Sequence, residues 1–166
     1  MTARDVAVVT GGSTGIGAEI CRQMLEGGYE VISLARRKPA RSHARLHALE
    51  VDLMDRSATE RAAADIAQRF PISHIVHNAG IIRPALLPDV ELEDLQALMQ
   101  LHLGAALTLV QAALPAMKRN NFGRVVLMSS RGALGLETRS AYSATKAGMI
   151  GMHAPGRSNS RPMALP

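Results

Sequence analysis

The chain has no tryptophan, only two tyrosines and two phenylalanines, and a single cysteine in 166 residues. With aromatics at 2%, stacking platforms for nucleobases are scarce, so a formal charge of +5 does not by itself indicate a nucleic-acid binder. The lone Cys21 excludes an internal disulfide, and without a Cys/His cluster no metal site is expected. It reads as a buried or half-buried small residue. No unbroken apolar run approaches the eighteen or so residues of a membrane span, and MTARDVAVVT has neither the apolar stretch nor the cleavage site of a secretory signal. A cytoplasmic protein with neither nucleic acid nor membrane as partner is the expectation.

What is present suits a core: 47% of residues are hydrophobic, enough for one domain of this length. Strand-like and helix-like segments alternate. The spacing predicts strands at Val6–Thr10, Tyr29–Ala35, Leu46–Leu53, Ser73–His77 and Arg124–Met128. Between them it predicts helices at Ala18–Leu25, closed by Gly27-Gly28, at Arg56–Arg69, closed by Pro71, and one or two over 91–118, with a last helix from about Ala141. Strands joined by helices pair in parallel through right-handed crossovers, which makes an α/β chain with a doubly wound parallel sheet.

The organising stretch is VAVVTGGSTGIG at 6–17. A buried strand followed by Gly11, Gly15 and Gly17 and then a helix sets backbone N–H groups and a helix N-terminus where a pyrophosphate can bind. Glycines after a strand also serve plain tight turns, and G-x-x-x-G-x-G departs from the commoner G-x-G-x-x-G spacing. Much of the basic excess lies just beyond the second strand, at Arg36, Arg37, Lys38, Arg41 and Arg45, and the rest of note in the tail at Arg157 and Arg161.

Four motifs follow in order: TGGSTGIG at 10–17, NAG at 78–80, MSS at 128–130 and YSATK at 142–146. Together they resemble the classical short-chain dehydrogenases/reductases, the 3-oxoacyl-acyl carrier protein reductase-like members above all, over residues 5–152. The last motif also has physical content of its own. Residues at i and i+4 share a helix face, so the Lys146 ammonium is set beside Tyr142. Bringing a phenol from pKa ~10 to ~7 takes about 4 kcal/mol, which a cation roughly 4 Å away supplies at an effective dielectric of about 20. Tyr142 then acts as general acid toward a carbonyl oxygen or as base toward an alcohol, while a nicotinamide moves the hydride. An isolated Y-x-x-x-K is equally an exposed polar pair on a helix.

The resemblance implies further roles. It places the catalytic serine at Ser130, with Ser129 as the alternative; both hydroxyls could instead satisfy backbone groups at a strand end. It makes Gly11, Ser13, Thr14, Gly15, Ile16 and Gly17 the phosphate-side cofactor contacts, with Tyr142 and Lys146 also touching the cofactor. Asp52 and Leu53 would meet the adenine, and Asn78, Ala79 and Gly80 the adenine-ribose side, Asn78 with the alternative of bracing the sheet. His102 stands where the family carries an asparagine that supports a water leading to the lysine. An imidazole can donate and accept in its place, and a histidine packed between helices is the other reading. At the end of the second strand NAD binders place an acid for the ribose 2′-hydroxyl, whereas Leu34-Ala35-Arg36-Arg37 has none. Guanidinium suits a 2′-phosphate, so NADP(H) is expected over NAD(H), with Arg36 the main contact and Arg37 in support. Lys38, Arg41 and Arg45 read more simply as a solvated loop.

The resemblance also implies a small carbonyl or alcohol substrate and a homo-oligomer through helices at 102–118 and 142–152. After Met152 it stops. Residues 153–166, HAPGRSNSRPMALP, are expected to be a non-family tail, frameshifted or disordered: one choice of synonymous codons, read one base out of frame, gives RTWALELAPHGIT, which looks like the family's continuation. The expected Rossmann fold is therefore incomplete, lacking the last two strands, with an unpaired apolar edge at 125–128, a catalytic helix cut to little more than its first turns, and impaired turnover. A noncatalytic nucleotide-binding remnant that pairs with a full-length relative is the competing reading, and nucleic-acid binding through the basic loop a third. The 81–90 loop, IIRPALLPDV, says of the substrate only that its surroundings are apolar.

Overall fold

The computed structural model describes residues 5–153; the expected tail at 153–166 lies outside them but for the backbone of His153. Five strands, β1 (Val6–Thr10), β2 (Glu30–Ala35), β3 (Leu46–Glu50), β4 (Ile72–His77) and β5 (Arg124–Leu127), form one sheet in the order β3-β2-β1-β4-β5. Every pairing is parallel. Chain order reverses at β1, where the sheet grows toward β2 on one side and β4 on the other, and the carboxyl ends of β1 and β4 open a crevice at that switch point.

Alternation along β1 explains the two layers. Val6 and Val8 join Ile32, Leu34, Ile72 and Ile75 against Ala62, Ala63 and Ile66 of α2 (Arg56–Arg69) and Leu109, Ala113 and Met117 of α4 (Ala105–Arg119). Val9, with Val31 and Val76, faces the other way, onto Cys21 and Leu25 of α1 (Gly15–Glu26).

The third strand is shorter than its apolar run predicts, and the carboxylate of Asp52 shows why. Val51 N–H still bonds the Ala35 carbonyl, but Asp52 Oδ1 then accepts from Met54 N–H at 2.9 Å and turns the chain out of the sheet. Asp55 follows as the cap of α2, accepting from Ala58 N–H at 2.9 Å.

The segment predicted as one or two helices is continuous but not uniform. α3 (Leu92–Met99) passes into a π-helical turn at Gln100–Gly104 and then into α4. At that turn an imidazole, His77 Nε2, bonds the Leu101 carbonyl at 3.0 Å. Taken together, Leu92–Arg119 is long and apolar enough by composition to cross a bilayer, which unbroken apolar runs do not reveal. Its Leu98, Leu101, Ala105, Leu109, Ala113 and Met117 are all buried, as in a core helix.

β5 is an edge strand among the described residues, with β4 alone beside it and Val126 half exposed. The last helix, α5 (Ser140–His153), has 14 residues, about four turns rather than the stub expected.

Candidate active site

α1 begins at Gly15, three residues earlier than its apolar spacing suggests, because Gly11 (φ +68°) and Gly15 (φ +56°) take the left-handed backbone that folds β1 back into a helix start. Thr14 stands at the N-cap without a side-chain bond to the first turn, so the orphan N–H groups there have no side-chain cap. Gly17 lies behind the turn: a Cβ there would strike the Gly11 carbonyl and sit 2.7 Å from Asn78 Nδ2. Cys21 is buried beneath, and burial pushes its thiol up to about 11, which makes it inert.

At the carboxyl ends of the strands is a cavity of about 560 Å³. It brings together Gly11, Ser13, Thr14 and Ile16 from the glycine turn, Arg36 and Arg37 after β2, and Asp52 and Leu53 after β3. Asn78, Ala79 and Gly80 follow β4, and Ser130, Tyr142 and Lys146 close the far end, with Ser129 beside them. Three predicted residues do not line it. Gly15 opens onto a second, smaller cleft, Gly17 packs behind the turn, and His102 is buried behind Gly80. Of the apolar lining, Ile81 and Ile82 belong to the 81–90 loop read from sequence as apolar, whereas Met54, Leu101 and Met128 were given no role there. Ile16 is 67% exposed on the rim.

At the basic end, Arg36 and Arg37 are exposed and, among the described residues, neither has an acidic partner. Lys38 instead pairs with Glu50 at 3.6 Å, and Arg45 Nη2 donates to the Leu25 carbonyl at 2.8 Å. Those two serve the surface and the fold, and two free guanidinium groups are left facing the cavity. Asn78 both lines the cavity and braces the sheet, its Nδ2 donating to the Thr10 carbonyl at 3.2 Å.

At the opposite end, the Lys146 side chain is buried, with Nζ donating to the Met128 carbonyl at 2.7 Å and 3.5 Å from Met149 Sδ. It lies 5.8 Å from the centre of the Tyr142 ring, so the two side chains share a helix face. Burial pushes the ammonium down to about 8. The two serines differ in what their hydroxyls do. Ser129 Oγ donates its proton to the Lys146 carbonyl at 2.9 Å, whereas Ser130 Oγ accepts from Gly132 N–H at 3.0 Å and keeps its own proton free.

Two neutral imidazoles stand behind. His77 is held down to about 4, by burial first and the Lys146 charge in lesser part. Thr10 Oγ1 accepts from Asn78 N–H and Ala79 N–H, so it must donate to His77 Nδ1, and His77 Nε2–H then donates to Leu101. His102 is held down to about 3 by burial, then by Lys146 and His77. It stands edge-on to Tyr142, ring centres 5.7 Å apart.

A family model described as short chain dehydrogenase matches residues 5–163. The 3-oxoacyl-acyl-carrier-protein reductase MabA of Mycobacterium tuberculosis is 33% identical over 147 residues, 87% of this chain and 59% of that protein. The acetoacetyl-CoA reductase of an Acinetobacter species is 32% identical over 164 residues, 91% of this chain and 66% of that one. A solved short-chain dehydrogenase from Streptomyces avermitilis superposes with a TM-score of 0.89 at 30% identity, over 98% of this chain and 62% of its own. A structure from Beutenbergia cavernae, described as an NAD(P)-dependent gluconate 5-dehydrogenase with bound NADP, gives 0.84 at 26% identity, over 95% and 67%. The chain thus spans about three fifths of the length of the curated relatives it matches.

Proposed function

Because this chain belongs to the short chain dehydrogenase family, we propose that it is an NADP(H)-dependent oxidoreductase that interconverts a small carbonyl and a secondary alcohol. The observation that carries the reading is a single cavity with two guanidinium groups, unpaired among the described residues, at one end and a tyrosine, a lysine and a donor-competent serine at the other. The cavity fits a dinucleotide on its own terms: an uncapped helix start for the pyrophosphate, an exposed Ile16 at the rim for a ligand to cover, and no acid at the end of β2.

Arg36 and Arg37 would hold the 2′-phosphate, where a carboxylate would repel it. Asp52 keeps one carboxylate oxygen beyond its bond to Met54 N–H for the adenine amino group. The residues lining the cavity would hold the cofactor, which would supply or take the hydride. In reduction the Tyr142 hydroxyl gives its proton to the substrate oxygen; in oxidation the phenolate takes it back. Ser130 donates its free hydroxyl proton to the same oxygen and orients the carbonyl. Lys146, buried beside Tyr142 and lining the cavity, keeps a positive charge there and favours the phenolate. Leu107 and Ile150, 48% and 57% exposed on α4 and α5, would serve contact with a second copy.

The absence of tryptophan leaves a clean background for NADPH fluorescence. Titration with NADPH and NADH should give saturable binding that favours NADPH, and an acetoacetyl thioester or small ketone should then be reduced. Binding without turnover assigns the chain a noncatalytic nucleotide-binding role. No binding of either nucleotide overturns the reading.

A further inference from the structure

The turn after β3 carries Asp52 and Leu53, which line the adenine end of the cavity, and the Leu53 carbonyl stands at its centre. Two side chains reach that oxygen. Thr59 Oγ1, buried in the first turn of α2, lies 3.3 Å away, and so does Gln100 Nε2, which comes from the π turn. A threonine hydroxyl has one proton to give, and the Asp55 carbonyl, at 2.8 Å, is the nearer taker. The Gln100 amide is thus the donor on which the Leu53 carbonyl depends. Its nitrogen must be the atom that faces Leu53, because a carbonyl oxygen only accepts.

Gly104 shows how a glutamine comes to lie there. The three atoms nearest to a Cβ at that position would all belong to the Gln100 amide, with Oε1 at 2.6 Å, Cδ at 3.1 Å and Nε2 at 3.5 Å. The amide is folded across the π turn through space that only glycine leaves open. A methyl group there would push it aside, since the far end of a glutamine yields before the backbone does. The turn after β3 has a second tie to the same long helix: Arg83, paired with Asp94 of α3, sets its Nη2 4.0 Å from Met54 Sδ.

We propose that Gln100 is a positioning residue for the adenine end of the nucleotide: from the π turn its amide holds the Leu53 carbonyl and so fixes how Asp52 and Leu53 face the base. Gln100 itself does not line the cavity, so it acts through the turn and not on the ligand. The proposal rests on the reading of the cavity as a dinucleotide site. It assigns Gln100 a role unlike that of Arg36, because a slackened turn weakens every adenine nucleotide alike, with or without the 2′-phosphate.

The probes are 5′-AMP and 2′,5′-ADP, which carry the adenine end alone, together with NADPH and NADH. Gln100→Leu keeps the bulk and loses the donor. It should weaken all four by roughly 3- to 10-fold, the scale of one neutral hydrogen bond, and raise KM for NADPH with kcat within about two-fold. Gly104→Ala, an exchange that favours a helix, should leave the melting temperature unchanged or higher, yet weaken the same ligands by displacing an intact Gln100. In a Gln100→Ala background it should weaken them no further. A glutamine that served stability alone would not part affinity from melting temperature in this way. Hydrogen exchange in the nucleotide-free protein reads the brace by itself: the Met54 and Asp55 amides, bonded to Asp52 within the turn, should lose protection in Gln100→Leu and in Gly104→Ala. Unchanged affinity for both mononucleotides in the two variants overturns the proposal, as does a Gly104→Ala loss that persists when residue 100 is alanine. Amides unmoved in both variants overturn it whatever the nucleotides do. A wild-type protein that binds none of the four sinks the proposed function instead.

Discussion

Ser129 and Ser130 are neighbours with the same hydroxyl, and one hydrogen bond separates them. Ser129 has given its proton to the backbone of α5; Ser130 has not. Ser130→Ala should therefore lower kcat by about 100-fold or more, the scale of losing one donor to a developing oxyanion, with NADPH affinity unchanged. Ser129→Ala should instead cost about 1 kcal/mol of stability, measured by urea unfolding, and leave kcat within a few-fold. At the other end of the cavity, Arg36→Ala should weaken NADPH binding by roughly 10- to 100-fold, the value of a charge-assisted contact to phosphate, and leave NADH unaffected; a fluorescence titration with both nucleotides reads the difference. Most of the polar cavity residues were legible because they lie just past the carboxyl end of a strand, and Tyr142 and Lys146 because they share a motif on α5. Thr10, His77 and Thr59 were not, since their meaning lies in which atom has spent its proton, and no spacing records that.

The elements follow from pattern wherever one face alternates or repeats cleanly. Val6–Thr10 and Arg56–Arg69 match their runs at both ends, whereas α1 starts early because glycines at 15 and 17 hide its first turn from an apolar count. β3 stops short because a carboxylate at 52 bonds two residues on and wins over the apolar run. The π turn at Gln100–Gly104 adds one residue to a periodic helix, and a single extra residue is lost within the tolerance of a 3.6-residue repeat. Structurally that turn hangs on Thr10: its hydroxyl accepts from two backbone N–H groups after β4 and donates to His77, which bonds Leu101. Thr10→Val keeps the shape and strands all three partners at about 1–3 kcal/mol each before relaxation. The expected loss is several kcal/mol in chemical denaturation, with hydrogen-exchange protection falling first at 78–79 and 100–104.

For the whole molecule, the same buried imidazoles set a pH limit. His77 and His102 titrate near 4 and 3 when folded, well below the 6.5 of an exposed imidazole. Between about pH 6.5 and 4 the unfolded chain takes up protons that the folded chain refuses, so stability falls as pH falls through that window. Lys146 acts at the other side: held near 8 when folded against 10.5 when exposed, it makes stability rise as pH climbs between those values. Melting temperatures from pH 4 to 10 should show both limbs, and His102→Gln should flatten the acid one.

The central claim is that Tyr142 delivers the proton in a reaction whose hydride comes from NADPH. It is tested most directly by following NADPH consumption with a small ketone in wild type and Tyr142→Phe, alongside NADPH binding to each. The account predicts turnover in the wild type and at least a roughly 100-fold loss in the variant, at unchanged NADPH affinity. Equal rates in the two proteins, or a variant that loses activity only because it no longer binds NADPH, would contradict it.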